Sequence, residues 1–522
     1  MTSINSFCLD RTVQSIPRAY GGPGGALAVI KDGEVLIRHA WGFANAERRI
    51  AFTPRTLFRM CSITKQFTCA VALDAFPDLA VLDGDIRHRL PLLQRPAPSA
   101  AHLCHNQSGL RDYWAVAMLM GSPAEAPFGD YEARRLIAST RSLHFRPGTR
   151  FSYVNQNFRL LSEIVQDRLD TSFSNLLRRR IFEPAGMETA FLAADTRAMP
   201  DGTEGYEGTQ AGGFRAAENN ILWTGDAGLG ASLDDMIAWE RHIDATRDDR
   251  DALYSRLSAP VAFADGNVAA YGFGLGRSTA FGRAGTGHGG ALRGWRSHRL
   301  HIPAERLSVV VMFNHLSNAG GAAAELLAAS LGETPPKPNT TLAPPSWTGA
   351  YMEPETGLSA RIDTPTPGLV RLRFGHSAEI LDLKPDGSAG GDGAPRLSWG
   401  DAGLLMERPG DNFAARLAPL AEPVGTPGVA GRYRCEELGA EVAVTDAGGA
   451  LYGAFSGSLG QGRMELLDPV GADVWTLPCP RALDHTPPGD WTLAFRRDAS
   501  GNVTGVTLGC WLARGLNYDR LV

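Results

Sequence analysis

The stretch LFRMCSITKQFT, Leu57–Thr68, sets a lysine three residues after a serine. The chain holds 51 Lys plus Arg, yet only Lys31, Lys65, Lys337 and Lys384 are lysines. On a helix, Ser62 and Lys65 fall one turn apart on one face. A serine at a helix start also sits among backbone N–H groups that have no intrahelical acceptor, which favours an anionic tetrahedral intermediate. Serine needs a base to act as a nucleophile. Arginine does not deprotonate in proteins, whereas a buried lysine loses its proton near neutral pH. Lys65 therefore has a chemical reason not to be arginine. Alone, the pattern reads as a helix N-cap followed by an exposed lysine.

Two further stretches change that reading. RPGTRFSYVNQNFRLL places Tyr153 and Asn155 just ahead of a helical pattern, a phenol to relay protons and an amide to hold a carbonyl. TGHGGALRGW places His288, Gly289 and Gly290 ahead of strand-like runs, where glycine lets a substrate backbone lie close. Singly these are an ordinary turn and a turn into a strand. In this order the chain resembles the penicillin-recognising serine hydrolases, the serine β-lactamase-like family. LFRMCSITKQFT, LCHNQSGLRDY, FRPGTRFSYVNQNFRLLSEIV, GLGASLDDMIAWER, YGFGLG and GHGG all look like that family. The resemblance covers roughly residues 10–332. It implies an antiparallel sheet flanked by helices, Ser62 as the acylated nucleophile, and Lys65 with Tyr153 as the acid–base unit. Asn155 orients substrate or lysine, and N–H groups at Ser62 and near Gly290 form the oxyanion hole. No metal or organic cofactor is implied.

Composition agrees with a soluble enzyme: 43% hydrophobic, 20% charged, net charge -5. No basic stripe recommends a nucleic-acid partner. The longest apolar runs, such as LSVVVMF, are far shorter than the ~20 residues of a membrane span. The polar start MTSINSFCLDRTVQ lacks an apolar signal core, and seven cysteines without a framework suit reduced thiols. The expected compartment is the cytoplasm.

Residues 1–332 read as the mixed α and β catalytic domain. GGALAVIKDGEVLIRHAWGFAN alternates apolar and polar residues around a KDGE turn, a hairpin pattern. QNFRLLSEIVQDRLD and AAAELLAASLG read as helices, the latter ending at Gly332. Residues 333–346 are a Pro-rich linker. Beyond it Gly-x-Tyr-x-x-x-Glu-x-Gly occurs twice, at Gly349, Tyr351, Glu355, Gly357 and at Gly431, Tyr433, Glu437, Gly439. The tail is read as two small antiparallel β-barrel domains, 347–418 and 429–522, with a linker at 419–428, the alternative being one large β domain in which the match is chance. The second copy carries an extra loop, 477–487, which includes Asp484.

A β-lactamase-like domain with two small β domains is similar to the D-stereospecific aminopeptidases, a narrower group. That likeness implies removal of small N-terminal D-residues from peptides, amides and esters. The partner is then a small substrate with a free N-terminus, β-lactams are inhibitors, and the assembly is a homodimer. Many family members carry a lysine where this chain has His288, so a cation that binds substrate carboxylates is missing. A free amine needs a carboxylate instead, and Asp484 is the candidate if its loop reaches the cleft. The other readings are an esterase, a DD-peptidase or β-lactamase of the same fold, or a silent binding protein. His102 and His105 read as structural, and Cys61 and Cys69 as small buried thiols.

Overall fold

The structure, a computed structural model, describes residues 6–334, 340–391, 393–423, 428–484 and 489–521. Parts of both expected linkers (335–339 and 424–427) and the end of the expected loop (485–487) lie outside the described residues. No helix among the described residues is long and apolar enough to cross a membrane.

The first part is built on an eight-stranded antiparallel sheet. Its centre pairs Gly24–Lys31 with Leu307–Phe313, and Leu307–Phe313 with Trp295–Ile302. The expected hairpin is present: Lys31 pairs with Glu34 across Asp32 and Gly33, both at positive φ, as a type I′ turn requires. The expected alternation holds poorly in its first strand. Gly24–Lys31 is buried on both faces except at Lys31, because helices cover both sides. Ser6–Ala19 and Ala319–Leu331 pack on one face, around Leu27, Val29, Val309 and Val311. Leu233–Ala245 packs on the other, and that face opens into the main core of Phe58, Phe67, Phe158 and Trp239. Ala319–Leu331 ends at Gly332, whose φ of 70° caps it.

Beyond that helix the described residues form antiparallel sheets. In the seven-stranded sheet Ala389 bridges to both Leu383 and Leu397, which links its two end strands and leaves the sheet nearly closed. The ten-stranded sheet leaves its last strands apart. Its apolar interior, with Tyr433, Leu493 and Leu516, is covered instead by Ala115 and Leu119 of the helix Tyr113–Leu119. The repeated signature occupies equivalent places. Gly349–Glu353 and Gly431–Cys435 each pair with the next strand and with the last strand of their sheet. Tyr351 donates its hydroxyl proton to the Trp347 carbonyl at 2.8 Å, and Tyr433 to that of Val429 at 2.6 Å. Gly357 and Gly439 turn at φ 68° and 66°. The two sheets thus share the same corner geometry at these positions.

Candidate active site

Ser62 lies on a tight turn between the strand Phe58–Cys61 and the helix Thr64–Ala75. Cys61, just before it, has φ 52°, an uncommon conformation for a residue with a side chain. The turn is held by Thr64, whose hydroxyl donates to the Cys61 carbonyl at 2.5 Å and accepts the Leu229 N–H at 2.8 Å. The helix is buried on all sides from Thr64 to Leu73, which explains why its residues from Phe67 to Leu73 are all small or apolar.

Lys65 is fully buried and spends its three protons on neutral oxygens. It donates to Ser62 Oγ at 3.0 Å, Asn155 Oδ1 at 2.9 Å and the Asp226 carbonyl at 2.7 Å. Burial pulls its pKa down to about 8, against the pull of the Asp226, Asp112 and Asp484 charges. Tyr153 is hydrogen-bonded to Ser62, and burial pushes its phenol well above the usual range. Its ring centre lies 4.9 Å from Lys65 Nζ.

Asn155 begins the helix Asn155–Leu169 and is fixed from behind. Its backbone N–H and its Nδ2 both donate to Asp112 Oδ2, at 2.6 and 3.0 Å. The other oxygen of Asp112 accepts N–H groups of Trp114 and Ala115, capping the helix Tyr113–Leu119. Burial lifts the Asp112 pKa to about 6 in spite of these hydrogen bonds. The Tyr113 hydroxyl donates to the Asp226 carboxylate, which fixes the segment whose carbonyl receives Lys65.

His288 lies on the strand Arg283–Leu292. Its Nδ1 is 2.5 Å from the Gly289 carbonyl and its Nε2 is 3.1 Å from the Tyr271 hydroxyl. A carbonyl only accepts, so Nδ1 carries the proton and Nε2 accepts from Tyr271. Burial, with Lys65 nearby, pulls the imidazole pKa to about 3, so the ring is neutral. Pairing with the strand Leu275–Ala280 stops at Gly287. From His288 onward that edge has no strand partner among the described residues and faces the cavity that Ser62 lines. Gly289 and Ala291 line this cavity; Gly290 does not. A Cβ on Gly290 would sit 2.2 Å from the Met60 carbonyl oxygen, so Gly290 lets the strand approach the nucleophile's own strand.

The cavity, about 280 Å³, brings together Ser62, Tyr153, Asn155 and His288 with Asp112, Trp223, His376, Asp484 and Leu512. Three sheets therefore contribute walls. Asp484 is buried, its neighbour Leu483 is set into the main core, and Arg293 donates to the Ala482 carbonyl at 2.6 Å. Among the described residues, no arginine or lysine side chain lines the cavity. His102 closes a capping box with Ser99, and His105 meets the Phe273 ring edge-on. The described residues hold no cluster of metal-ligand side chains.

Sequence reasoning missed Asp112, Tyr271, His376 and Leu512. A signal existed for Asp112 alone: an aspartate directly before YWAVAML is an N-cap pattern. Tyr271 opens the stretch YGFGLG, but nothing there marks its contact with His288; nothing local marks His376 and Leu512, which meet the site through packing between sheets.

A buried serine–lysine–tyrosine cluster beside an open strand edge is the arrangement of a serine acyl-transfer enzyme. The β-lactamase family pattern matches residues 9–333, so the chain belongs to that family. The pattern described as D-aminopeptidase, domain B, matches residues 340–519. A D-aminopeptidase of Gluconobacter oxydans is 59% identical over 98% of both chains. One of Brucella canis is 46% identical over the whole of both. Within the family, the chain belongs with these D-aminopeptidases. The fold also matches an octameric penicillin-binding protein homologue from Pyrococcus abyssi, with a TM-score of 0.55 at 18% identity over 88% of this chain and 99% of that one.

Proposed function

We propose that the chain is a serine aminopeptidase that removes small N-terminal D-residues from peptides, amides and esters through an acyl-enzyme on Ser62. The carrying observation is that the Asp484 carboxylate lines the same cavity as Ser62. A carboxylate there favours a substrate ammonium, and the neutral His288 offers no charge to a substrate carboxylate. The preference for D-residues rests on the relatives.

Lys65 serves as the base by elimination among its partners. When it loses a proton, the Asn155 and Asp226 oxygens can only go on accepting. Ser62 Oγ–H alone can donate to the lone pair. The Ser62 oxygen then attacks the substrate carbonyl as its proton passes to Lys65. Tyr153, held protonated by burial, passes its proton to the leaving amine and is reprotonated from Lys65. Water reverses these roles to release the amino acid. Backbone N–H groups at Ser62 and on the bare edge near Ala291 face the developing oxyanion.

Buried thiols at Cys61, Cys69, Cys104, Cys435, Cys479 and Cys510 support a reducing compartment, the cytoplasm. β-Lactams are proposed as acylating inhibitors, and a homodimer as the assembly, which light scattering checks. The decisive experiment assays D-Ala, L-Ala, Gly and N-acetyl-D-Ala p-nitroanilides with the wild type and Ser62→Ala. Equal rates for D-Ala and N-acetyl-D-Ala would defeat the free-amine reading, and an active Ser62→Ala would defeat the nucleophile.

A further inference from the structure

A second cavity, of about 270 Å³, opens at the mouth of the ten-stranded sheet. It shares two walls with the catalytic cavity. In the helix Tyr113–Leu119, Trp114 and Ala115 line the catalytic cavity while Met118 lines the second. In the segment that follows Val474–Leu477, residues 478–481 line the second cavity and Asp484 lines the catalytic one.

Its floor is apolar: Phe455, Leu477 and Trp491 are buried there. Its rim is charged and balanced. At the rim Arg481 pairs with Glu125 at 2.7 Å and is also held from outside the lining by Glu207 at 3.1 Å, while Arg463 pairs with Glu465. Arg481, Glu125, Arg463 and Glu465 line the opening, two of each sign. The Arg463 side chain is 75% exposed, so its ion pair is weak and open to exchange with a ligand.

We propose that this cavity binds a zwitterionic α-amino acid with an apolar side chain, and that its occupation is felt at Asp484. A lone anion or cation meets a rim whose charges cancel. A neutral apolar molecule fills the floor and leaves the rim to water. A molecule with both charges at one end and a hydrocarbon at the other matches rim and floor together. The occupant contacts residues 478–481 and Met118, so it acts on both elements that carry catalytic-cavity walls. The side chain reaching Phe455 and Trp491 is of leucine or phenylalanine size, larger than the small residue proposed for the catalytic cavity.

The test titrates leucine into the Ser62→Ala protein and follows binding by calorimetry, so failure here is separate from failure of the aminopeptidase reading. Saturable binding is expected, about tenfold weaker for leucinamide and for N-acetylleucine, each of which lacks one charge. The exposed-rim variant Arg463→Gln/Glu465→Gln is expected to weaken leucine by about tenfold with an unchanged melting temperature. Absence of saturable binding overturns the site. Leucinamide and N-acetylleucine binding as tightly as leucine overturns the zwitterion. Binding untouched by the rim variant but lost in Asp484→Ala assigns leucine to the catalytic cavity and overturns the proposal. In the wild type, saturating leucine is expected to change KM for a D-Ala anilide at least about twofold, an effect absent from the rim variant. An unchanged KM overturns the link to Asp484.

Discussion

Lys65 and Arg299 are both wholly buried cations of the same domain, and their partners differ in kind. Arg299 meets a carboxylate with both arms of its fork, at 2.6 and 2.9 Å to Glu240, and also donates to the Tyr254 hydroxyl at 2.8 Å. Those partners hold its charge in place, and its pKa is raised. Lys65 meets only neutral oxygens, with the Asp226, Asp112 and Asp484 charges standing further off. Its pKa falls instead. One cation is fastened and the other is poised. The neighbours decide this, because burial acts on both in the same direction.

The largest expected effect comes from making the poised cation permanent. Lys65→Arg should lower kcat/KM by about a thousandfold or more, as should Ser62→Ala. Steady-state assays of an enzyme with a native circular-dichroism spectrum check this. A Lys65→Arg protein keeping a tenth of wild-type activity would break the assignment of Lys65 as base.

Stability should separate the pair by sign. Glu240→Gln leaves Arg299 buried without its counter-charge and should cost about 3–5 kcal/mol in denaturant unfolding. Lys65→Met removes a buried charge that lacks one. With its pKa at about 8 in the fold against an ordinary 10.5, Lys65 binds its proton less tightly folded than unfolded. Native stability therefore rises with pH between those values, and at pH 7 the charge costs about 3 kcal/mol. Lost hydrogen bonds offset part of this, so Lys65→Met should gain about 1–2 kcal/mol at pH 7 while abolishing activity. A loss of stability like that of Glu240→Gln would erase the distinction.

Smaller effects sharpen it. kcat/KM should rise as Lys65 deprotonates, about fivefold from pH 7 to pH 8, levelling above the lysine's pKa. A flat profile across that range would disagree. Asp484→Ala should reduce the preference for free over acetylated amines by about tenfold. On the acid side, Asp112 takes up a proton near pH 6 and loosens its grip on Asn155. Asp112→Asn should lower kcat by about threefold and remove that acid limb from the pH–rate profile.

The chemistry was more legible in the sequence than the walls around it. Ser62, Lys65, Tyr153 and Asn155 lie in local patterns because a turn and two helix starts must present them. The hairpin before Asn45 and the cap at Gly332 are local as well. Gly290 drew attention for the right physical reason, close approach, but the neighbour is the Met60 carbonyl and the cavity belongs to Gly289 and Ala291. Alternation along a strand decides that, and sequence does not say which face is which. His376 and Leu512 carry no pattern at all, since their place depends on how one sheet nearly closes and the other stays open.

The open sheet has a consequence in time. Ser62 is translated more than about 400 residues before Asp484 and Leu512, which line the same cavity. The helix that starts at Asp112 finds the cover for its apolar face only when the late strands arrive. A growing polypeptide thus makes Ser62 well before the last walls of its cavity, and the pocket closes around the serine only after the late strands have been added.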